Sequence, residues 1–395
     1  MISADVAIVG GGVMGSAIAA FLADDPGFDG RVVVVERDPG YRRASSALSA
    51  SSIRQQFSTP ENIRMSQYGF DYLRALDEHL AIDADDRPSQ ALGLHEAGYL
   101  YLASAERAAD LRSNHLVQVG TGADVVLLEP DELAGRYPWL STDGVALGSL
   151  GRSGEGWFDG YGLLMAFRRK ARALDAEYVA ADVVDLEVGA GLVRAIRLAD
   201  GARIACGTVV DAAGPWAAAI AAMAGIHLPV VARRRTVFAF SSPEGLPDCP
   251  LVIDTSGAWF RPEGDGFIAA ISPPAGEDLD DLPLEVDRRL FEERLWPALA
   301  TRVPAFDAIR TTNAWAGYYE LNTHDHNAIL GPPPDLPNLL FANGFSGHGI
   351  QHAPAVGRAI AELIVHGRYV SLDLSVFGYE RIAAGRRVIE RNVIG

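Results

Sequence analysis

The chain has 395 residues, 49% hydrophobic and 22% charged, and 34 Lys+Arg against 51 Asp+Glu give a formal charge of −17. That profile excludes a disordered chain, and the acidity argues against nucleic acid or an anionic membrane surface as partner. Two cysteines, Cys206 and Cys249, are too few for a disulfide framework or a CxxC metal site, so a reduced, cytoplasmic setting is expected, with a single bridge as the alternative.

The length predicts two domains. Met1 to Asp5 carries no basic segment ahead of the apolar run 6–23, which is broken by glycines and ends at Asp24 and Asp25. It reads as strand, turn and helix rather than as a leader or a membrane span. The run 5–9 predicts a buried parallel strand, 16–23 a helix, and 31–36 a second strand ending on Glu36. Residues 62–80 are spaced as a helix and 91–103 as a strand, while the rest of 81–150 is polar and irregular. A helix over 159–174 precedes strands over 177–186 and 193–198, then strand, tight turn and helix over 208–223. From 230 to 319 the pattern is strand-rich, at 231–240, 251–253, 258–261, 267–271 and 314–319, with one helix at 285–299. A short strand at 339–342 leads into a glycine-rich turn at 343–349. A last helix follows to about Ile364, with Pro354 expected in its first turn, where a missing N–H costs nothing.

Gly10, Gly12 and Gly15 lie between a strand and a helix, and Glu36 ends the next strand about 20 residues on, the spacing of a dinucleotide-binding βαβ unit. Gly10 permits the tight turn, Gly12 lets backbone approach a pyrophosphate, and Gly15 lets the helix pack on the strand. The helix N-terminus offers free N–H groups to phosphates. Glu36 can accept from ribose hydroxyls. The motif alone does not choose between NAD and FAD.

These residues have company further along. The segments 44–57, 210–216 (VDAAGPW), 315–319 (WAGYY), 325–331 and 343–349 (NGFSGHG), with 9–15 and Glu36, together resemble the D-amino-acid oxidase superfamily of flavoproteins. They are most similar to its sarcosine oxidase β-subunit and proline dehydrogenase branch. Residues 53–62 and 315–395 most resemble FAD-dependent oxidoreductase domain-containing proteins implicated in assembling respiratory complex I. The resemblance implies an α/β fold: a Rossmann-type, glutathione-reductase-like FAD-binding domain with an inserted α+β substrate domain built on an antiparallel sheet. It implies an FAD domain from 1–85, 150–222 and 322–395, and a substrate domain from 86–149 and 223–321. The FAD contacts it implies are Gly10, Gly12, Val13, Met14, Gly15, Glu36, Arg37, Ser45, Ser46, Ser51, the backbone of Val183, Ala213, Gly214, Trp216, Gly317, Gly344, Gly347, His348, Gly349, Ile350 and Gln351. The turn 343–349 opens a helix, so its N–H groups and dipole can stabilise negative charge on the flavin ring.

The implied activity is oxidation of the C–N bond of an amino acid or secondary (N-methyl) amine by hydride transfer to flavin N5, with a small amine or amino acid as substrate and an electron acceptor or partner subunit. The alternative is an FAD-containing assembly or binding protein with little turnover. Three departures bear on this. Tyr318 stands where monomeric sarcosine oxidases carry the cysteine that tethers FAD, so FAD is expected to be non-covalent. The strand 266–272 lacks the lysine that those oxidases hold over the flavin. The chain's single lysine, Lys170, lies elsewhere, which favours a dehydrogenase over an oxidase. The arginine that holds a substrate carboxylate maps to Arg54, but its partner lysine maps to the neutral Gln351. Tyr319 and Glu320 occupy a substrate-side position, Tyr319 lining the pocket or serving as core. His348 is placed either as a donor at the flavin edge or as a cap on the last helix. Arg261 reads as a structural strand-end residue. His324, Asp325 and His326 lack the further ligands that a metal needs, and none is expected.

Overall fold

The computed structural model describes residues 2–391. A sheet runs in the order Ile329–Gly331, Leu339–Asn343, Arg203–Asp211, Ile2–Val9, Val32–Glu36, Glu177–Ala180. Along this path all neighbours are parallel except the outermost pair, Ile329–Gly331 against Leu339–Asn343, and off it Leu192–Leu198 pairs antiparallel with the start of Arg203–Asp211. Val6, Ala7, Ile8 and Val9 are all buried, since both sheet faces are covered, which is why the run shows no alternation. One face packs on the helices Val13–Asp24, Pro60–Arg74, Gly160–Ala173 and Gly349–His366. The other packs on Ala217–Met223 and an antiparallel pair, Val183–Gly189 with Leu192–Leu198. Glycines set the closest approaches: a Cβ on Gly15 would lie 1.9 Å from the Gly10 carbonyl oxygen, and one on Gly357 would lie 2.9 Å from the Ala17 Cβ.

A second sheet of eight strands runs Arg310–Asn322, Val230–Ser241, Gly266–Ala270, Trp259–Glu263, Leu251–Ile253, Tyr99–Ala103, Leu147–Gly151, Val125–Leu128. It is antiparallel apart from Leu251–Ile253 on Tyr99–Ala103. Phe238, Phe240, Phe260, Phe267 and Phe306 fill its core against the helical stretch 288–302. The architecture is thus mixed α/β, with a Rossmann-type sheet beside a largely antiparallel one.

Three expectations need correction. Residues 81–150 are not irregular: they form the helices Ala108–Gly120 and Pro130–Arg136 and the strands Val125–Leu128 and Leu147–Gly151. Residues 177–186 are not one strand. Glu177–Ala180 pairs with Val32–Glu36 in the parallel sheet, and the chain then turns into Val183–Gly189 of the antiparallel pair. Pro354 lies inside the last helix, not in its first turn, because the helix begins at Gly349. Its ring therefore removes an interior N–H from the helix ladder.

The C-terminal segment is fastened by a buried ion pair. Arg381 donates to both carboxylate oxygens of Asp325, at 2.7 and 3.0 Å. Asp325 also accepts from Val388 N, and Asn327 donates to Val388 O. Asp325, flanked by His324 and His326, is thus committed to structure. Among the described residues no group of three or more metal-ligating side chains occurs, and no helix is long and apolar enough to cross a membrane. Removing one partner of a buried pair strands the other charge, so Arg381→Met is expected to cost about 3–5 kcal/mol of unfolding free energy in a denaturant titration. A loss under about 1 kcal/mol would mean that the tail is not held through this pair.

Candidate active site

The ends of Ile2–Val9, Val32–Glu36 and Arg203–Asp211 open on a cavity of about 410 Å³ whose wall draws on both sheets. Gly10, with φ +98°, makes the turn after the first strand. A Cβ there would meet the Ala212 carbonyl oxygen at 2.4 Å. Gly12 is the N-cap of the helix Val13–Asp24 and supplies no side-chain cap. Backbone N–H groups with a helix dipole behind them thus face the cavity. Glu36 accepts from Gly11 N at 2.8 Å and Asp38 N at 2.7 Å, which fixes its carboxylate at the cavity wall. Arg37 lies 3.8 Å and Arg43 5.4 Å from the centroid of the Trp216 ring, which meets Tyr318 edge-on.

The other part of the wall is built around Arg54. Its side chain is buried, its Nε donates to the Tyr101 hydroxyl at 2.7 Å, and its guanidinium lies 4.1 Å over the Phe57 ring. Its backbone N–H donates to Gln351 Oε1 at 2.7 Å. Tyr319 donates its hydroxyl to Ser346 O, and a Cβ on Gly347 would lie 2.2 Å from the Tyr319 ring. Burial raises the Tyr319 and Tyr101 phenols, Tyr101 well above the ordinary range, so both stay neutral. Burial also raises the Glu320 carboxyl to about 7, and its Oε2 has no hydrogen-bond partner in the protein.

Nearly all the sequence-predicted residues meet in this cavity. Gly10, Gly12, Val13, Met14, Glu36, Arg37, Ser45, Ser46, Ser51, Val183, Ala213, Gly214, Trp216, Gly317, Gly347, Gly349, Ile350, Gln351, Arg54 and Tyr319 all line it. Three do not. Gly15 acts in helix packing, and Gly344, with φ +72°, turns the chain behind the wall against Asn322 and Val230. His348 is the N-cap residue of the last helix, but its side chain makes no cap. The ring is buried outside the cavity lining, 5.2 Å from Phe57 and 5.1 Å from His352. Burial, with His352 and Arg54 nearby, holds it well below the usual histidine range, so the imidazole is neutral. Arg261 donates to Ala50 O at 2.7 Å, a structural contact.

The groups presented to the cavity fit a dinucleotide cofactor such as FAD. Ser45 Oγ and Glu320 Oε2 belong to cavity-lining residues, are buried and lack protein partners. Gly12 and Gly214 present backbone where a Cβ would meet only one side-chain oxygen, at 3.5 and 3.6 Å. The FAD-dependent oxidoreductase (DAO) family model matches residues 5–363. The chain belongs to that family. Its cofactor is FAD. It is 44% identical to FAD-dependent oxidoreductase domain-containing protein 1 of Xenopus laevis, over 99% of this chain and 85% of that protein. To human mitochondrial dimethylglycine dehydrogenase it is 25% identical, over 95% of this chain and 44% of that protein. L-proline dehydrogenase from P. horikoshii superposes with a TM-score of 0.82 at 25% identity, over 98% of this chain and 99% of that one.

Several residues around the site gave no signal in the sequence. Glu155, fully buried in a turn, accepts from Gln55 N at 2.6 Å and Gln56 Nε2 at 2.9 Å, directly after Arg54. Glu390, 1% exposed in the tail, accepts from Ser58 N and Oγ, Thr59 N and Asn62 Nδ2. It thereby ties the C-terminal segment at Glu390 to the start of the helix Pro60–Arg74. Both are lone acids in unpatterned stretches.

Burial raises the Glu155 carboxyl to about 7, with the bonds from Gln56 and Gln55 opposing it. A carboxyl raised on folding contributes its full stability below its unfolded value, about 4.3, and loses it as pH rises through the folded value. The stability advantage of the wild type over Glu155→Gln is therefore expected to shrink by on the order of 2 kcal/mol between about pH 5 and pH 8. Denaturant titrations at the two pH values check this; an advantage that stays flat would show that Glu155 does not titrate there.

Proposed function

We propose that this FAD-dependent oxidoreductase oxidises the C–N bond of an amino acid or a secondary (N-methyl) amine. The observation that carries this reading is Arg54: a buried guanidinium oriented by Tyr101 and Phe57, in the same cavity as the FAD-binding glycines. When bound, FAD supplies the hydride acceptor at N5. The chain's residues bind, orient and exclude water. Arg54 offers its fork to a substrate carboxylate in a charge-assisted, bidentate geometry. Tyr319, with its hydroxyl committed to Ser346 O, acts as a fixed apolar wall. Gln351 replaces a second cation and spends its carbonyl oxygen on the Arg54 backbone. A neutral amine needs no base to lose hydride, which agrees with a neutral His348 turned away from the cavity. Glu320 Oε2 is positioned to hold a proton near neutral pH.

FAD is proposed to be non-covalent. Tyr318 at the tether position donates its hydroxyl to Leu282 O, and neither Cys206 nor Cys249 lines the cavity. Electrons are proposed to leave to an acceptor other than oxygen. Lys170 lies in the helix Gly160–Ala173, donates to Ala81 O and does not line the cavity. Ala270, Ile271 and Ser272 form the wall where oxidases place a cation.

The test is anaerobic mixing of the FAD-loaded protein with glycine, sarcosine, proline, D-amino acids and N-methyl amines, following the flavin band. Bleaching by a carboxylate-bearing amine is expected, with slow oxygen consumption in air. Arg54→Gln is expected to raise the half-saturating concentration by about 10- to 100-fold, the loss of a hydrogen bond to a charged group. A dithionite-reducible flavin that no amine bleaches would favour an assembly or binding role with little turnover.

A further inference from the structure

The strand Val230–Ser241 carries three consecutive arginines, Arg233, Arg234 and Arg235. Arg235 lines the cavity, and its guanidinium lies 5.1 Å from the Tyr319 ring centroid. Arg54 lines the same cavity, so the two arginines belong to one chamber. Arg235 grips a carboxylate: Nη1 donates to Asp278 Oδ1 at 2.7 Å and Nη2 to Oδ2 at 3.1 Å. This fork is the geometry in which arginine recognises a carboxylate ligand. Asp278 sits in 271–287, a stretch without a helix or strand, whose residues Ile271 and Ser272 reach the cavity.

We propose that Arg235 is a second anion-recognition residue of the substrate chamber, and that the Asp278 carboxylate stands in for a second acidic group on the substrate. The inference rests on the reading that Arg54 holds the first carboxylate. It narrows the substrate class to amino acids or secondary amines with a further carboxylate. Exchange keeps the fork satisfied: it leaves one carboxylate and receives another, while Asp278, 18% exposed, keeps its second ion pair, Oδ2 to Arg233 Nη1 at 3.3 Å. Arg233 keeps a partner in Asp280, at 2.7 Å, and Tyr318 still holds Leu282 O at 3.0 Å, so the segment stays attached. The arrangement also accounts for a neutral Gln351. The second positive group stands on the sheet wall instead of the helix, and it is masked until an anion arrives.

The test compares sarcosine with iminodiacetate, which differ by one carboxylate, as ligands of the FAD-loaded protein, read by perturbation of the flavin band without oxygen. Iminodiacetate is expected to bind more tightly than sarcosine. Arg235→Gln is expected to weaken iminodiacetate about tenfold more than sarcosine, the loss of one charge-assisted pair. Asp278→Asn, which removes the internal competitor, is expected to tighten iminodiacetate severalfold more than sarcosine, and it decides the matter if Arg235→Gln fails to load FAD. Equal effects of these substitutions on both ligands, or no perturbation by iminodiacetate in the wild type, overturn the proposal. Arg54→Gln reports separately. If it spares both ligands while the Arg235 pattern holds, the Arg54 reading fails and this one stands. If it weakens both while Arg235→Gln spares iminodiacetate, the reverse is true.

Discussion

Burying a guanidinium strips water from five donors and leaves a charge that only neighbouring groups can answer. Arg54, 5% exposed, meets that demand from several directions, and the rest of the molecule is arranged around it. Tyr101 comes from the second sheet, Gln351 from the last helix, and Phe57 from the same segment. Glu155 fixes the two residues that follow, and Glu390 fixes the segment's far end from the C-terminal tail. The second sheet, the last helix and the tail therefore converge on one short segment. The tail in turn is held by Asp325 and Arg381, so a contact remote from the cavity braces the segment that carries Arg54.

The acid surplus has an inner counterpart. Glu155, Glu320 and Asp211 are carboxyls pushed upward by burial, and Glu320 adds to the shift of Asp211. Asp211 ends the strand Arg203–Asp211 and spends one oxygen on Ala213 N, while its backbone oxygen takes Asn343 Nδ2. A carboxyl that holds its proton adds no negative charge to its surroundings. The formal −17, which counts all three as charged, is thus carried by other acids of the chain, and these three buried carboxyls oppose an anion less than ionised ones would.

How far the sequence could be read depended on the range of the forces at work. The opening strand, glycine turn, helix and Glu36 were legible because each position answers a local backbone demand, such as the positive φ of Gly10 or the contact at Gly15. The stretch 81–150 was opaque for a physical reason. The helix Ala108–Gly120 buries only Leu111, Asn114 and Gln118 and so shows little apolar periodicity, while Leu147–Gly151 is two-fifths glycine and buried on both faces. Pro354 misled because the fixed φ of proline suits a first turn, and nothing local showed that the helix had already begun at Gly349. In the cavity, the glycines, serines and Arg54 were legible from motifs. Their braces were not: Glu155 and Glu390 meet the Arg54 segment across about a hundred and about three hundred residues of chain, and Tyr101 and Arg235 owe their roles to the second sheet.

Reliance on a single lysine gives the interior its character. An ammonium is a compact point charge that can serve any nearby anion, whereas a guanidinium is directional and needs its donors placed. Each interior arginine is accordingly pinned: Arg302 to Asp254 at 2.5 Å, Arg381 to Asp325, Arg235 to Asp278, and Arg54 to Tyr101 and Phe57. The positive potential in the cavity is therefore concentrated in planar forks at fixed sites. Forks discriminate planar carboxylates well, but they give little to a small transient anion formed at another point of the chamber. On the function proposed above, the same use of arginine in place of lysine would serve both recognition of an acidic amine and transfer of electrons to an acceptor other than oxygen, two consequences of one compositional choice.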